Sequence, residues 1–144
     1  MGVELDPTKP GVDIGLVVRD GAFLTPDRIL LCGGPISGDV PRLYIAGIDG
    51  AEFRQVTDCA WTAGIPSPDG SHVALTAGAG ISLFPVSGGD AIVVPGIERR
   101  EEPLQWSDNG AYLYVCTFGH YPIRVFRVAI DTGERTFRPP TFSK

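Results

Sequence analysis

Ser67-Pro68-Asp69-Gly70-Ser71-His72-Val73-Ala74 joins a tight turn to a short apolar run, and the chain repeats this pattern. Thr25-Pro26-Asp27 leads into Ile29 to Cys32, and Ser107-Asp108-Asn109-Gly110 leads into Tyr112 to Cys116. The three turns start at positions 25, 67 and 107, spacings of 42 and 40. A second landmark, Leu43-Tyr44, Leu83-Phe84 and Val125-Phe126, follows 18, 16 and 18 residues later, so the units match internally as well as in length. Such periodicity marks a repeat architecture in which each unit buries its faces against its neighbours.

The runs after the turns are too short for helices and are bounded by Gly or Pro, which predicts strands buried on both faces. The first turn is two residues shorter than the others. Because side chains alternate with period two, that deletion preserves strand phase and makes Cys32, Thr76 and Cys116 equivalent. Further strands are expected at Arg42 to Ile48, Ile81 to Val86 and Arg124 to Ile130, each ending in turn chemistry at Asp49-Gly50, Gly88-Gly89 and Thr132-Gly133. In the last of these, Phe126, Val128 and Ile130 alternate with Arg127 and Ala129, the pattern of a sheet meeting solvent on one face. A fourth strand follows each, and Gly15 to Val18, Ala60 to Ile65 and Pro103 to Trp106 precede the turns. Pro85 cannot donate to a ladder, which places its segment toward a sheet edge.

Four antiparallel strands repeated at about 40 residues fit propeller blades better than a sandwich. The predicted fold is all-β, a partial β-propeller of three four-stranded antiparallel blades. An N-terminal arm spans 1–14, the blades cover 15–138 (about 15–57, 58–96 and 97–138), and a tail spans 139–144.

Composition supports this class and excludes others. The 144 residues include 19 Gly and 13 Pro, suited to many tight turns, and 43% hydrophobic residues, enough for a core. A net charge of −5 with dispersed arginines gives no footprint for nucleic acid. The paired Arg99-Arg100 lies within an acidic run, Glu98 to Glu102, and reads first as a solvated loop. No apolar run approaches the roughly 18 residues of a membrane span, and the start lacks a basic region followed by an apolar stretch, so neither membrane insertion nor a signal peptide is expected and the compartment stays open. Cys32, Cys59 and Cys116 are too few and too far apart for a zinc site, and their odd count argues against a disulfide framework. Cys32 and Cys116, with Thr76 at the equivalent place, read as small buried side chains, and a bridge between Cys32 and Cys116, in separate blades, would contradict the blade order.

The stretches Ser67 to Ala74 and Leu104-Gln105-Trp106-Ser107-Asp108-Asn109-Gly110-Ala111-Tyr112-Leu113 resemble the W-S-P-D-G-x-x-[IL] core of TolB-like, WD-type propeller repeats. Ile81-Ser82-Leu83-Phe84-Pro85-Val86 and Val125-Phe126-Arg127-Val128 are similar to the carboxy-terminal blades of some bacterial serine/threonine kinases and sensor proteins. The first unit departs from the pattern, with Arg28 where glycine is usual. The resemblance implies a non-catalytic module for protein or small-ligand binding, a sensor or scaffold part of a bacterial protein. It transfers no kinase chemistry, since the catalytic H-R-D and D-F-G motifs are absent. An alternative is the accessory propeller of a prolyl-oligopeptidase-type hydrolase whose catalytic domain lies elsewhere. A third is a self-contained propeller enzyme using rim carboxylates.

Candidate chemistry is sparse. Aspartates of the S-P-D-G turns read as turn formers, and Trp106 as packing between blades with one partner for its N–H. Only His72 and His120 could serve a triad, no G-x-S-x-G elbow exists, and neither metal nor cofactor is expected. Gly33-Gly34 and Gly78-Ala79-Gly80 lack phosphate-loop spacing. If strands alternate up and down, connections after the second and fourth strands share one rim, opposite the S-P-D-G turns. That rim gathers Asp39, Asp58, Arg99, Arg100, Glu101, His120 and Tyr121, the expected contact residues for a protein or small molecule. Propellers need four to eight blades to close, so the expectation is either that a second copy completes the ring or that this chain is a fragment of a longer propeller.

Overall fold

The computed structural model describes residues 17–34, 40–58, 63–117, 119 and 122–138. All regular elements among them are strands, hydrogen-bonded into three four-stranded antiparallel sheets in sequential order. The first sheet holds β1 (Val17–Thr25), β2 (Arg28–Gly34), β3 (Arg42–Gly47) and β4 (Phe53–Asp58). The second holds β5 (Ile65–Pro66), β6 (His72–Ala77), β7 (Gly80–Pro85) and β8 (Ile92–Val93). The third holds β9 (Glu101–Trp106), β10 (Tyr112–Thr117), β11 (Val125–Ala129) and β12 (Arg135–Arg138). This is the architecture of a partial β-propeller. The chain divides into two compact units, Met1–Ala63 and Gly64–Lys144.

In the first unit β1 does not stop at Val18 but runs to Thr25, which pairs with Arg28 across Pro26 and Asp27. Pro26 presets the bend, and Thr25 Oγ1 donates to Asp27 Oδ1 at 2.7 Å. Arg28, in the glycine position, makes a bidentate pair with Glu52 at 2.9 and 3.1 Å, and Arg54 adds a third donor at 3.0 Å. These hydrogen bonds, Arg28 first, hold the Glu52 carboxyl below its usual range. Leu30, Cys32, Leu43 and Ile45 are fully buried on one face. On the other, the rings of Tyr44 and Phe53 stack with centroids 5.1 Å apart. Cys32 is disulfide-bonded, whereas Cys116 is a free, buried thiol, so the two are not joined. The expectation drawn from the odd count is thereby corrected for Cys32. A bridge needs only two Cα atoms within about 7 Å, which spacing along the chain does not report. Cys59 lies outside the described residues.

In the second unit two sheets share one core. Ala74, Ile81, Leu83 and Val94 meet Trp106, Leu113, Val115 and Val128, with Ile65, Ile97, Phe126 and Ile130 at the margin. Trp106 carries the junction: its ring is buried and its Nε1–H donates to the carbonyl of Ile65 at 2.8 Å, so the indole loses no hydrogen bond on burial. Pro85 ends β7, which is the third of four strands and not an edge. β8 pairs only with Ser82 and Leu83, so the missing donor of Pro85 falls beyond the ladder.

The two turns of this unit are built alike. Gly70 N donates to Ser67 O and Gly110 N to Ser107 O, each at 2.9 Å, and both glycines are left-handed, φ 73° and 74°. Asp69 Oδ1 accepts from Ser67 Oγ, Ser71 N and Ser71 Oγ at 2.8, 3.0 and 2.7 Å. Asn109 Oδ1 accepts from Ser107 Oγ and Ala111 N at 2.8 and 3.0 Å. These are side-chain mimics of a backbone turn, as the sequence predicts.

Candidate functional site

The connection from β8 to β9 carries the paired arginines, and its conformation is over-determined on both sides. Val94 is buried and its N–H reaches Ile81 O at 3.0 Å. Gly96 lies so close to the β11–β12 turn that a Cβ would overlap the carbonyl of Gly133. Glu101 N donates to Glu98 O at 3.2 Å, which closes a β-turn with Arg99 and Arg100 as its central residues. Arg100 has φ 70°, the only non-glycine left-handed residue among those described. That is the third turn position, where glycine is the usual solution, and an arginine there costs of order 1 kcal/mol.

Arg135 clamps this turn. Its Nη1 donates to Gly96 O at 2.8 Å and to Glu101 Oε1 at 2.7 Å, and its Nη2 donates to Glu101 Oε2 at 2.7 Å. Glu98 N also donates to Glu101 Oε1 at 2.7 Å. The guanidinium sits 4.3 Å over the ring of Phe126. Hydrogen bonding to Glu101 raises the Arg135 pKa further, so the guanidinium stays charged. The Glu101 side chain is 2% exposed, and its two oxygens are spent on structure.

Arg99 and Arg100 point the other way, into solvent. Both are exposed, and no ion pair or hydrogen bond engages either side chain among the described residues. Arg99 borders two clefts. One, of ≈ 520 Å³, adds Arg100, Thr76, Ala79 and Glu102; the other, of ≈ 420 Å³, adds Glu98, Arg124, Pro122 and Phe126. Arg124 is also exposed and without an ion pair among the described residues. With Glu101 neutralised by Arg135, each cleft carries two arginines against one carboxylate, Glu102 or Glu98. Arg99 is shared, so the two clefts together hold three arginines against Glu98 and Glu102, one surplus positive charge on a chain whose net charge is −5.

The structure thus brings together Arg99, Arg100 and Glu101 of the expected rim. Asp58 belongs to the first unit, where it is exposed and lies 3.9 Å from Arg42 Nε. Asp39, His120 and Tyr121 lie outside the described residues. Sequence reasoning missed Arg124, two residues past the expected loop, and Arg135, which stands 34 positions from Glu101 and carries no local signal of that pairing.

A third cleft of ≈ 530 Å³ lies among the S-P-D-G turns, lined by Ser67, Asp69, Ser71, His72, Asp108 and Asn109. Ser71 Oγ donates to Asp69 Oδ1 and lies 2.8 Å from His72 Nδ1. In a hydrolytic triad the imidazole stands between hydroxyl and carboxylate. Here the hydroxyl stands in the middle, between carboxylate and imidazole, which is not the triad order. Hydrogen bonds from Ser71 and Ser67 hold Asp69 down to about 2, a fully ionised turn former. Among the described residues no group of three or more His, Cys, Asp or Glu side chains is arranged to hold a metal ion.

No protein-family model matches the chain, and no curated protein does. Solved structures do resemble it. TolB from Acinetobacter baumannii is 18% identical with a TM-score of 0.61, over 91% of this chain and 34% of TolB. A chain of the nidogen/laminin complex gives 15% and 0.60, over 85% and 48%. A prolyl endopeptidase gives 16% and 0.60, over 94% and 24%. At these identities the likeness is one of fold, and it bears out the propeller repeats, TolB-like in kind. The chain spans about a quarter to a half of the length of these structures.

Proposed function

We propose that the chain is a non-catalytic propeller module that contacts a protein or small-molecule ligand through the rim carrying Arg99, Arg100 and Arg124. One observation carries the reading: three exposed arginines, without ion-pair partners among the described residues, line adjoining clefts, while the buried Glu101 is already paired with Arg135. Loops held by a rigid β scaffold are where such folds keep their contacts. Panning a random peptide library on the immobilised chain tests it. Selected peptides are expected to lose binding to an Arg99→Gln/Arg124→Gln variant and keep it on an Asp69→Asn/Asn109→Ala variant of the opposite turns. The reverse pattern would move the contact surface to the other rim.

The module is further proposed to be completed by a second copy. Three blades are fewer than the four to eight that close a propeller. Phe23, 69% exposed, lies on the first sheet, where Ile29 and Leu31 are also only partly covered. Light scattering at micromolar concentration should return a dimer mass, and a monomer would remove this part. The likeness to a prolyl endopeptidase keeps one other reading in play, an accessory propeller for a separate hydrolase. A catalytic domain encoded beside this segment would favour it.

A further inference from the structure

We infer that the Glu98–Glu101 turn is a preorganised anion-recognition device, and that its ligand is an acidic peptide segment bound through carboxylates by Arg99 and Arg100. The inference rests on the rim reading above and specifies its chemistry. Four observations converge. The turn is fixed by Gly96 against Gly133 and by the Arg135 clamp on Gly96 and Glu101, so the two arginines are presented without ordering the backbone on binding. The clamp takes the buried Glu101 carboxylate out of the electrostatic balance, which leaves three arginines against Glu98 and Glu102 across the two clefts. Guanidinium groups match carboxylates as planar bidentate forks. Arg99 borders both clefts, so the surface accommodates a chain with more than one acidic side chain, whereas a single small ion would fill neither. Ala79, Pro122 and Phe126 supply apolar flanks for the stems of such residues.

The fourth observation is the backbone of Arg100. At φ 70° glycine would be easier, and residues held in such conformations cluster where a ligand is gripped. Keeping arginine there trades stability for a cation at that point. The trade is measurable, because one substitution should move stability and binding in opposite directions.

The test uses the full chain and a fluorescein-labelled hexaglutamate peptide, with hexaglutamine and inorganic phosphate as controls. Hexaglutamate should bind, with Kd rising steeply with salt, and hexaglutamine should not. Arg99→Gln should weaken binding by about tenfold, the scale of one charged hydrogen-bond set. Arg100→Gly should weaken it similarly while raising Tm. Absence of hexaglutamate binding overturns the inference, as does equal binding by the Arg100→Gly variant or a lowered Tm in it. Phosphate binding with the same arginine dependence, in place of the peptide, would overturn the assignment to an acidic peptide. If panned peptides bind at this rim but carry no Asp or Glu, the anion chemistry fails and the rim reading stands. If none bind there, both fail.

Discussion

The second and third sheets are built on one plan but finish it differently. Counting from Asp69 and Asn109, Ala74 is equivalent to Tyr114, and their cross-strand partners are Leu83 and Arg127. In the second sheet this pair is buried, 0% and 4% exposed, inside the core shared with the third. In the third sheet the same pair faces away from that core. Arg127 stacks 4.2 Å over the ring of Tyr112, and its Nε is buried without a hydrogen-bond partner. The comparison teaches that strand pattern and turn chemistry repeat, while the outward face changes with what the neighbouring position must contact. A cation over an aromatic ring covers apolar surface and keeps the face polar.

The largest expected effect breaks the comparison at that pair. Leu83→Ala should cost about 3 kcal/mol in urea unfolding, because it opens a cavity in the shared core. Arg127→Ala should cost about 1 kcal/mol, the scale of a partly exposed cation–π contact. Similar losses at both positions would mean that the third sheet's outer face is as tightly packed as the core.

Next comes the Arg135 clamp of the third sheet. Arg135→Met strands the buried Glu101 carboxylate and should cost about 3 kcal/mol or somewhat less, since the arginine keeps 20% exposure. Glu101→Gln/Arg135→Met should recover part of that loss, and a double variant no better than the single would contradict a desolvated pair.

The turns sharpen the likeness. Gly70→Ala and Gly110→Ala should each cost about 1–2 kcal/mol, equally, since both residues sit at nearly the same left-handed φ.

The smallest effect is acid sensitivity, and it should separate the two turns. The folded pKa of Asp69 is lowered to about 2 from an ordinary 3.8. Its contribution is therefore complete above pH about 4 and fades as pH falls toward 2, when protonation costs the carboxylate its three hydrogen bonds. Asn109 fills the same role without a titrating group. Amide exchange near Ser71 should accelerate across that window while exchange near Ala111 stays flat. Asp69→Asn should abolish the difference.

Much of this was legible in the sequence for a physical reason: the turns are local. Ser, Asp or Asn, and Gly at fixed offsets satisfy one another within five residues, so Ser67 to His72 and Ser107 to Tyr112 announce their geometry. Trp106 announced a packed indole with one acceptor. What stayed hidden depends on distant pairing. Arg135 on Glu101 and the disulfide at Cys32 have no neighbours in sequence to reveal them, and β8 shrinks to two residues because its ladder needs only Ser82 and Leu83. Arg99-Arg100 was visible as a pair, but the left-handed backbone of Arg100 was not, since nothing in composition asks for arginine where glycine fits.

The stacking of the second and third sheets around Trp106 underlies both the blade assignment and the placement of the rim, and the indole proton reports on it directly. In a two-dimensional NMR experiment its Hε1 should exchange slowly with solvent and show cross-relaxation to Ile65 and Leu83. A freely exchanging indole proton with contacts only inside β9–β12 would contradict the account.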